Sequence, residues 1–517
     1  MGTGCMVPGS SPLVAGWSHR GVPPDKTSCT PPETGLDECG FQSDRFKTTV
    51  LVNMAAITER MDEQILPAVY RFLGASFHAR PSQLGMLILS RALVQALSSP
   101  IGGLAGHHYN RIYVTAAGCF IWGIFTFAAA LCTTLNQAIL CWAVNGLGLA
   151  LVIPSGQSLI ADFYSPATRG KAFGILLMTG ALGGMLGGLF ATNVGATQPL
   201  GIEGWRVAFF TVALISMLIG TLTLAFAKDP RCAAPACLDA GPCPKPTREL
   251  SGRDVLNILR IPTFFIIVFQ GIIGGIPWST MTFLTLYFQL MGMSDFAASL
   301  VVSLFFGSTA VGALVGGWVG DWAAIHYPNH GRVAVSQFSV VFGPIFSVIV
   351  LKIMPLGGSR GIVALYITVM FAFGLMKSWS GAACNNPIFA EIVPARLRNM
   401  VYAFDRCFEG SLAALAAPLV GYLAERRFGF EGDAARTGDP VEDRRRAVAL
   451  GDALFYFLII PWILTLILFT GVHFTYPHDR AKAALEADAD DTIRRPDATE
   501  IAPLTHARPS DDVTDLT

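Results

Sequence analysis

Apolar residues fill long, nearly unbroken stretches of this chain, and polar residues gather in short segments between them. The stretches fall at Thr48 to Leu73, Ser82 to Ala105, Ile112 to Thr134, Ala138 to Ala161, Ala172 to Gly195 and Trp205 to Ala227. A polar segment with several prolines, Lys228 to Arg260, interrupts the series. Six more stretches follow: Pro262 to Leu290, Phe296 to Gly320, Val333 to Met354, Gly361 to Ala390, Val401 to Ala424 and Leu450 to Phe474. Each approaches or exceeds the roughly 20 residues that a helix needs to cross about 30 Å of hydrocarbon. Backbone polar groups in lipid must bond within their own segment, so the pattern predicts an all-α polytopic membrane protein of twelve spans, numbered 1 to 12 below. The domain plan is then a disordered N-terminal segment over 1–46, a six-helix bundle over 47–228, a cytosolic linker over 229–260, a second six-helix bundle over 261–475 and a disordered tail over 476–517.

Composition sharpens this. Of 517 residues 52% are hydrophobic and 14% charged, and the mean hydropathy is +0.51, more apolar than a water-soluble core and shell can use. The net charge of +0 gives no electrostatic footprint for nucleic acid. The 11 cysteines make no metal-binding spacing, and Cys232, Cys237 and Cys243 read as free thiols in the linker. No metal, cofactor or nucleophile elbow is expected, and no enzymatic activity.

Lys and Arg set the orientation. With both termini in the cytosol, the inner loops hold Arg111, Arg169, Lys171, Arg332, Arg396 and Arg398 together with the linker cations, while four of the five outer loops hold few. The fifth, Glu425 to Arg446, mixes arginines with Glu431, Asp433, Glu442 and Asp443, and weakens the asymmetry without reversing it. The halves echo each other. ADFYSPATRGKAFG from Ala161 and AEIVPARLRNMVYAF from Ala390 each place a carboxylate, Asp162 or Glu391, seven residues before an arginine, Arg169 or Arg398. GGLAGHHYNR from Gly102 and GGWVGDWAAIHYPNHGR from Gly316 correspond in the same order. A repeat at this scale predicts two related bundles with a site at their interface near the midplane.

These loops resemble the major facilitator superfamily, whose loop between spans 2 and 3 reads roughly G-x-L-A-D-R-x-G-R. Gly102, Leu104, Ala105 and Arg111 fit, with Gly106 where the Asp belongs; Gly317, Asp321 and Arg332 fit in the second half. NMAAITERMDEQILPAV from Asn53 resembles span 1 of the Spinster-like branch, with Glu59 and Arg60 in place of its Asp-Arg pair. SRALVQALSSPIGGLAGHHYNR around Arg91 is closer to the plant and green-algal relatives. The resemblance implies a major facilitator fold of two pseudo-symmetric six-helix bundles and alternating-access transport. Two departures stand out: Trp142 occupies the position where many facilitators carry a span 4 arginine, and Leu149 that of a glutamate in animal Spinster proteins. Gly180, Gly184, Gly187 and Gly188 on span 5 read as close helix packing.

Ionisable groups inside spans are expensive and therefore functional candidates. Glu59, Asp62 and Glu63 lie at i, i+3 and i+4 on one face of span 1. Three carboxylates this close in a poorly hydrated cavity cannot all stay ionised, which makes them a proton-coupling device, with Arg60 and Arg91 as charge partners. The competing reading is a gate held by ion pairs, or a wet cluster at the outer mouth. Lys377 with Trp379 on span 10 is suited to a carboxylate or phosphate, against the alternative of a lysine snorkelling to an interface. Asn385, Gln270 and Trp278 add polar contacts to this substrate site, each alone compatible with plain packing. Arg111, Arg169, Asp321, Arg332, Arg398, Asp405, Arg406 and Glu409 are assigned to gating networks. The reading is a multi-pass, monomeric, proton-coupled secondary transporter of an organic anion or amphiphilic lipid-like solute, with membrane lipid around it. The alternative is a transceptor or scaffold that keeps the fold without net transport.

Overall fold

The computed structural model describes residues 35–164, 166–230, 260–393 and 398–494. The chain divides into two compact units, 1–43 and 44–517; the described part of the first, 35–43, is helical, and the second carries the rest of the fold. Every regular element among the described residues is helical.

Among the described residues eleven helices carry a stretch long and apolar enough to cross a membrane. The first helix, Gly35–Ala68, does not qualify by hydropathy because Glu59, Arg60, Asp62 and Glu63 lie in it, yet it packs among the others as span 1. Its fit depends on glycine. A Cβ on Gly183 or Gly187 of span 5 would lie 2.2 Å from the Ile57 carbonyl oxygen or 2.7 Å from the Met61 Cα, so only glycine lets these helices touch by their backbones. Spans 2 and 4 meet in the same way, with Gly146 against Arg91 and Gly102 against Ala150.

Capping explains the helix starts. Asn110 Oδ1 accepts from Ile112 N ahead of span 3, Thr134 and Gln137 form a capping box ahead of span 4, and Ser294 caps span 8. Pro81 and Pro262 stand in the first turns of spans 2 and 7, where a missing N–H costs nothing. Other prolines precede breaks: Pro67 comes shortly before the end of Gly35–Ala68, after which Tyr70–Phe77 resumes, and Pro277 precedes a 3₁₀ turn at Met281–Phe283. Span 10 breaks after Arg360–Lys377. Ser339 of span 9 fills the break: its hydroxyl donates to the Met376 carbonyl at 2.7 Å and accepts from Trp379 N at 3.3 Å. A neighbouring hydroxyl thus satisfies backbone groups that lipid could not.

Two ends differ from the expected domain plan. Span 1 already begins at Gly35, inside the segment expected to be unstructured, and the last helix runs from Pro440 to Arg494, well into the expected tail. That extension holds five Ala residues, the best helix formers, alongside four Asp. It is also used: Asp479 Oδ2 accepts from Thr263 N at 2.9 Å and so caps span 7. The linker cysteines Cys232, Cys237 and Cys243 lie outside the described residues; Cys119, Cys132, Cys141, Cys384 and Cys407 are free.

The packing repeats between halves. Span 2 packs on 4, 3 on 4 and 3 on 6, and correspondingly 8 on 10, 9 on 10 and 9 on 12. The halves meet through span 2 on span 11 and span 8 on span 5, which are related pairs under the same pseudo-symmetry. Leu97, Leu140, Trp318, Ile325 and Phe474 are exposed on helix surfaces, as a surface solvated by lipid allows. With Gly35–Ala68 counted beside the eleven, the described residues form an integral, multi-pass membrane protein of twelve spans in two pseudo-symmetric halves.

Candidate functional site

Inner denotes the side on which span 1 begins. At the outer ends the halves are joined by several bonds. Arg71 pairs with Asp295 at 2.9 Å, Ser82 N donates to Glu425 Oε1 at 2.9 Å, and Ala434 N, in the loop between spans 11 and 12, donates to the Ala79 carbonyl at 3.0 Å. Below this seal lies a small cavity between the halves, lined by Gln64, Thr192, Thr285, Ser299, Ser303 and Phe306.

The span 1 carboxylates meet different partners. Arg60 joins two of them, with its Nη1 2.5 Å from Glu63 and its Nε 3.4 Å from Glu59. Arg60 and Glu63 are about half exposed, whereas Glu59 is buried. Asp62 points into the first half and is fully buried. It receives Arg91 of span 2 at 3.4 Å, Thr126 Oγ1 of span 3 at 3.3 Å and Asn145 Nδ2 of span 4 at 3.4 Å, and Asn145 also donates to Thr126 at 2.8 Å. The Arg91 guanidinium lies 5.8 Å from the Trp142 ring centre. Arg91 of span 2 thus stands beside the span 4 position that Trp142 occupies. Thr126 and Asn145 escaped the sequence reading, although a polar residue at the heart of an apolar span is a usable signal.

In the second half Lys377 is buried at the end of the span 10 half-helix. Its Nζ lies 6.0 Å from the Trp278 ring centre and 5.4 Å from that of Trp462, and among the described residues no carboxylate pairs with it. The helix C-terminus favours a cation by up to about 1 kcal/mol, and each aromatic face adds about 0.5–2 kcal/mol. Neither replaces acceptors for three N–H donors, and a buried donor left unpaired costs about 1–3 kcal/mol. Trp379 is not part of this arrangement: its indole donates to the Leu375 carbonyl at 2.7 Å and its ring packs on Gly316 and Phe338. Gln270 and Asn385 do meet, Asn385 Nδ2 donating to Gln270 Oε1 at 3.3 Å. Trp462 carried no signal in the sequence, since tryptophan is ordinary in a membrane helix.

The inner ends hold two related arginine networks. Arg111, 1% exposed in its side chain, reaches Asp162 at 2.7 Å, Asp229 at 2.5 Å and Ser158 at 2.6 Å. Arg332 lies 3.0 Å from Asp321 and 3.2 Å from Glu391; Glu391 in turn meets Arg480 at 3.4 Å and accepts from the Tyr476 hydroxyl. The echoed carboxylates Asp162 and Glu391 thus face equivalent arginines, and Asp229, just past span 6, went unnoticed in the sequence. Asp405 and Glu409 both face Gly271 of span 7, whose Cβ would lie 3.8 Å and 3.7 Å from their oxygens. Arg169, Arg398 and Arg406 stand on helices, but their side chains lie outside the described residues.

Comparison with known proteins places this geometry. The hexuronate transporter of Bacillus subtilis (strain 168) is 19% identical over 189 residues, 37% of this chain and 44% of that protein. The probable L-galactonate transporter of Escherichia coli (strain K12) is 24% identical over 302 residues, 56% of this chain and 65% of that protein. The matched stretches thus span less than two thirds of either relative. The crystal structure of a bacterial homologue of the human lysosomal transporter Spinster, in an inward-facing and unoccupied conformation, superposes with a TM-score of 0.68 at 16% identity, covering 84% of this chain and 98% of that one. That likeness in fold agrees with the Spinster-like resemblance of span 1. The profile of the Major Facilitator Superfamily matches residues 52–418, more than half of the sequence, and the chain belongs to that superfamily.

Proposed function

We propose that this protein is a secondary active transporter that couples proton movement to an organic anion or amphiphilic solute by alternating access. The observation that carries the reading is the span 1 acid network, in which Glu59 is buried beside Arg60 and Asp62 is buried beside Arg91. A carboxylate in hydrocarbon costs several kcal/mol, and one that alternates between an arginine and a proton can carry charge across without remaining bare. The outer seal supports alternating access, because its bonds cross from one half to the other and must break for an outer opening. Arg91 beside Trp142 supplies the cation whose absence from span 4 favoured a non-transporting scaffold.

Glu59 is the proposed principal proton carrier. Glu59→Gln fixes the neutral form, so in proteoliposomes it should lose its response to a pH gradient while retaining solute exchange. If well-folded Glu59→Gln protein still accumulates solute under a pH gradient, Glu59 is not the carrier and Asp62, Glu63 or the Asp405–Glu409 pair takes its place. If the wild type moves no solute under any gradient, the transport reading itself fails.

A further inference from the structure

At the inner ends of spans 9 and 12 a row of hydrogen bonds runs from Thr470 through Gln337 to His473 and ends on two facing imidazoles. Thr470 Oγ1 donates to the Leu466 carbonyl at 3.4 Å, so it accepts from Gln337 Nε2 at 3.1 Å. That bond turns the Gln337 carbonyl oxygen toward His473, whose Nε2 lies 3.0 Å away and must carry a proton to donate. In a neutral ring a proton on Nε2 leaves Nδ1 with a bare lone pair. This Nδ1 faces Nδ1 of His330, the N-cap residue of span 9, at 3.1 Å. His330 is exposed and His473 half-buried, which leaves the pair within reach of water on the inner side.

We infer that His330 and His473 form a two-imidazole site for a divalent transition ion of the copper and zinc class. Imidazole nitrogen suits these ions. Bonds of about 2.0–2.1 Å to nitrogens 3.1 Å apart give an N–metal–N angle of about 98°, between the right angle of a square plane and the tetrahedral angle. The ion replaces the proton that the two facing nitrogens otherwise share, and that proton leaves to water as both lone pairs bind the metal. Gln337 holds His473 by the nitrogen opposite the metal, the arrangement that fixes a ligating histidine's tautomer and ring orientation. Among the described residues no third His, Cys, Asp or Glu completes a cluster, so water fills the remaining positions. The ion joins span 9 to span 12 beside the inner arginine network, since His330 lies two residues before Arg332 and His473 three before Tyr476. The two ligands stand 143 residues apart, which is why no metal spacing shows in the sequence. The site lies within one half and is independent of the transport reading.

The test uses the full chain, untagged, in phosphatidylcholine nanodiscs, stripped of metal with a chelator and with its thiols alkylated so that cysteine takes none. Cu²⁺ is the probe, followed by electron paramagnetic resonance, with competition against a chelating dye for affinity. One ion per chain is expected, with hyperfine splitting from two imidazole nitrogens, and Zn²⁺ should compete for the same site with lower affinity. His330→Ala and His473→Ala should each weaken binding by at least about 10-fold and remove the two-nitrogen splitting, while Gln337→Met, which keeps the length and loses the acceptor, should weaken it about 10-fold. His326→Ala and His478→Ala, at exposed histidines outside the pair, should change neither readout. His330 is exposed, so His330→Ala should melt like the wild type without metal, which separates lost binding from lost folding. A spectrum without two nitrogens, unchanged affinity in His330→Ala or in His473→Ala, or a loss that follows His326→Ala or His478→Ala instead would each overturn the assignment.

Discussion

Gly421 tests whether the outer seal opens. A Cβ at this position on span 11 would lie 2.2 Å from Ser82 N and 2.5 Å from both the Pro81 carbonyl carbon and the Ser82 Cα, all of them backbone atoms of span 2. Backbone cannot rotate aside as a side chain does, so in Gly421→Ala the two spans must separate or strain. Overpacking of this kind costs about 1–3 kcal/mol. Displacing Ser82 N from Glu425 Oε1, now 2.9 Å away, adds up to the value of a charge-assisted bond, about 1.5–3 kcal/mol. The strain exists only while spans 2 and 11 touch. It therefore acts on the equilibrium between the outer-closed and outer-open states, and the overpacking alone, at about 1–3 kcal/mol, shifts that equilibrium about 5- to 150-fold. A cysteine introduced by Thr285→Cys, at a buried position lining the cavity under the seal, would report the shift through its alkylation rate with a membrane-impermeant maleimide added outside. Gly410→Ala on the same span is the control, because a Cβ there meets nothing within 4 Å. Alkylation should accelerate in Gly421→Ala and not in Gly410→Ala. If Gly421→Ala lowers the melting temperature and leaves the alkylation rate unchanged, the contact between spans 2 and 11 is permanent packing and the gating argument is refuted.

Asp229→Asn should destabilise the protein by about 3 kcal/mol in thermal or denaturant melts, the low end for breaking a buried pair, because Asp162 still reaches Arg111 at 2.7 Å. Glu203, ahead of span 6, should make stability fall on acidification. Burial pushes its carboxyl upward, but hydrogen bonds from Ser76 and Arg206 outweigh this and hold it below the usual range. A depressed folded-state value gives stability that is present above the unfolded value of about 4.3 and is lost as pH falls through the folded one, so Glu203→Gln should flatten the melting curve below about pH 5. The exposed cluster of Glu431, Glu442 and Arg445 should contribute little, and raising salt to about 1 M should leave the melting temperature nearly unchanged if that cluster is the only target.

The twelve spans were legible because the bilayer imposes one length and one polarity on every one of them. Where lipid no longer acts, legibility ended. The start at Gly35 and the continuation to Arg494 lie in polar sequence, whose helical state no hydropathy pattern records. The span 10 break was likewise hidden. Its cue, Lys377 to Asn386, is a run of small and polar residues, but the hydroxyl that makes the break tolerable belongs to Ser339 on another helix. Periodicity placed Glu59, Asp62 and Glu63 on one face; which neighbour each meets depended on Gly183 and Gly187, which draw span 5 against span 1 by its other edge. Asp229 and Trp462 show the same limit: partners brought together by the tertiary packing carry no spacing that a sequence can display.

The separation of the two buried clusters constrains how coupling can work. Asp62 is held by spans 2, 3 and 4, and Lys377 is walled by spans 7 and 12, so each cluster is built inside one half. On the proposed reading, a proton on span 1 and a solute bound in the second half would affect each other by changing which arrangement of the two halves is favoured, and not through a shared bond. The contacts that define this arrangement lie at the halves' joint, where Arg71 meets Asp295, Ser303 Oγ donates to the Met185 carbonyl and Asn193 Nδ2 donates to Ser299. Span 5 supplies two of these contacts and also packs by Gly183 and Gly187 directly on the turn before and the turn carrying Glu59 and Asp62. If span 1 shifts on losing or gaining a proton, these contacts are the route by which the shift reaches span 5 and its joint with span 8. Linkage then requires the reverse as well: whatever the solute does to the joint changes proton affinity by the same factor. Proton uptake or release accompanying solute binding in the wild type, and its absence in Glu59→Gln, would express that reciprocity in a single titration.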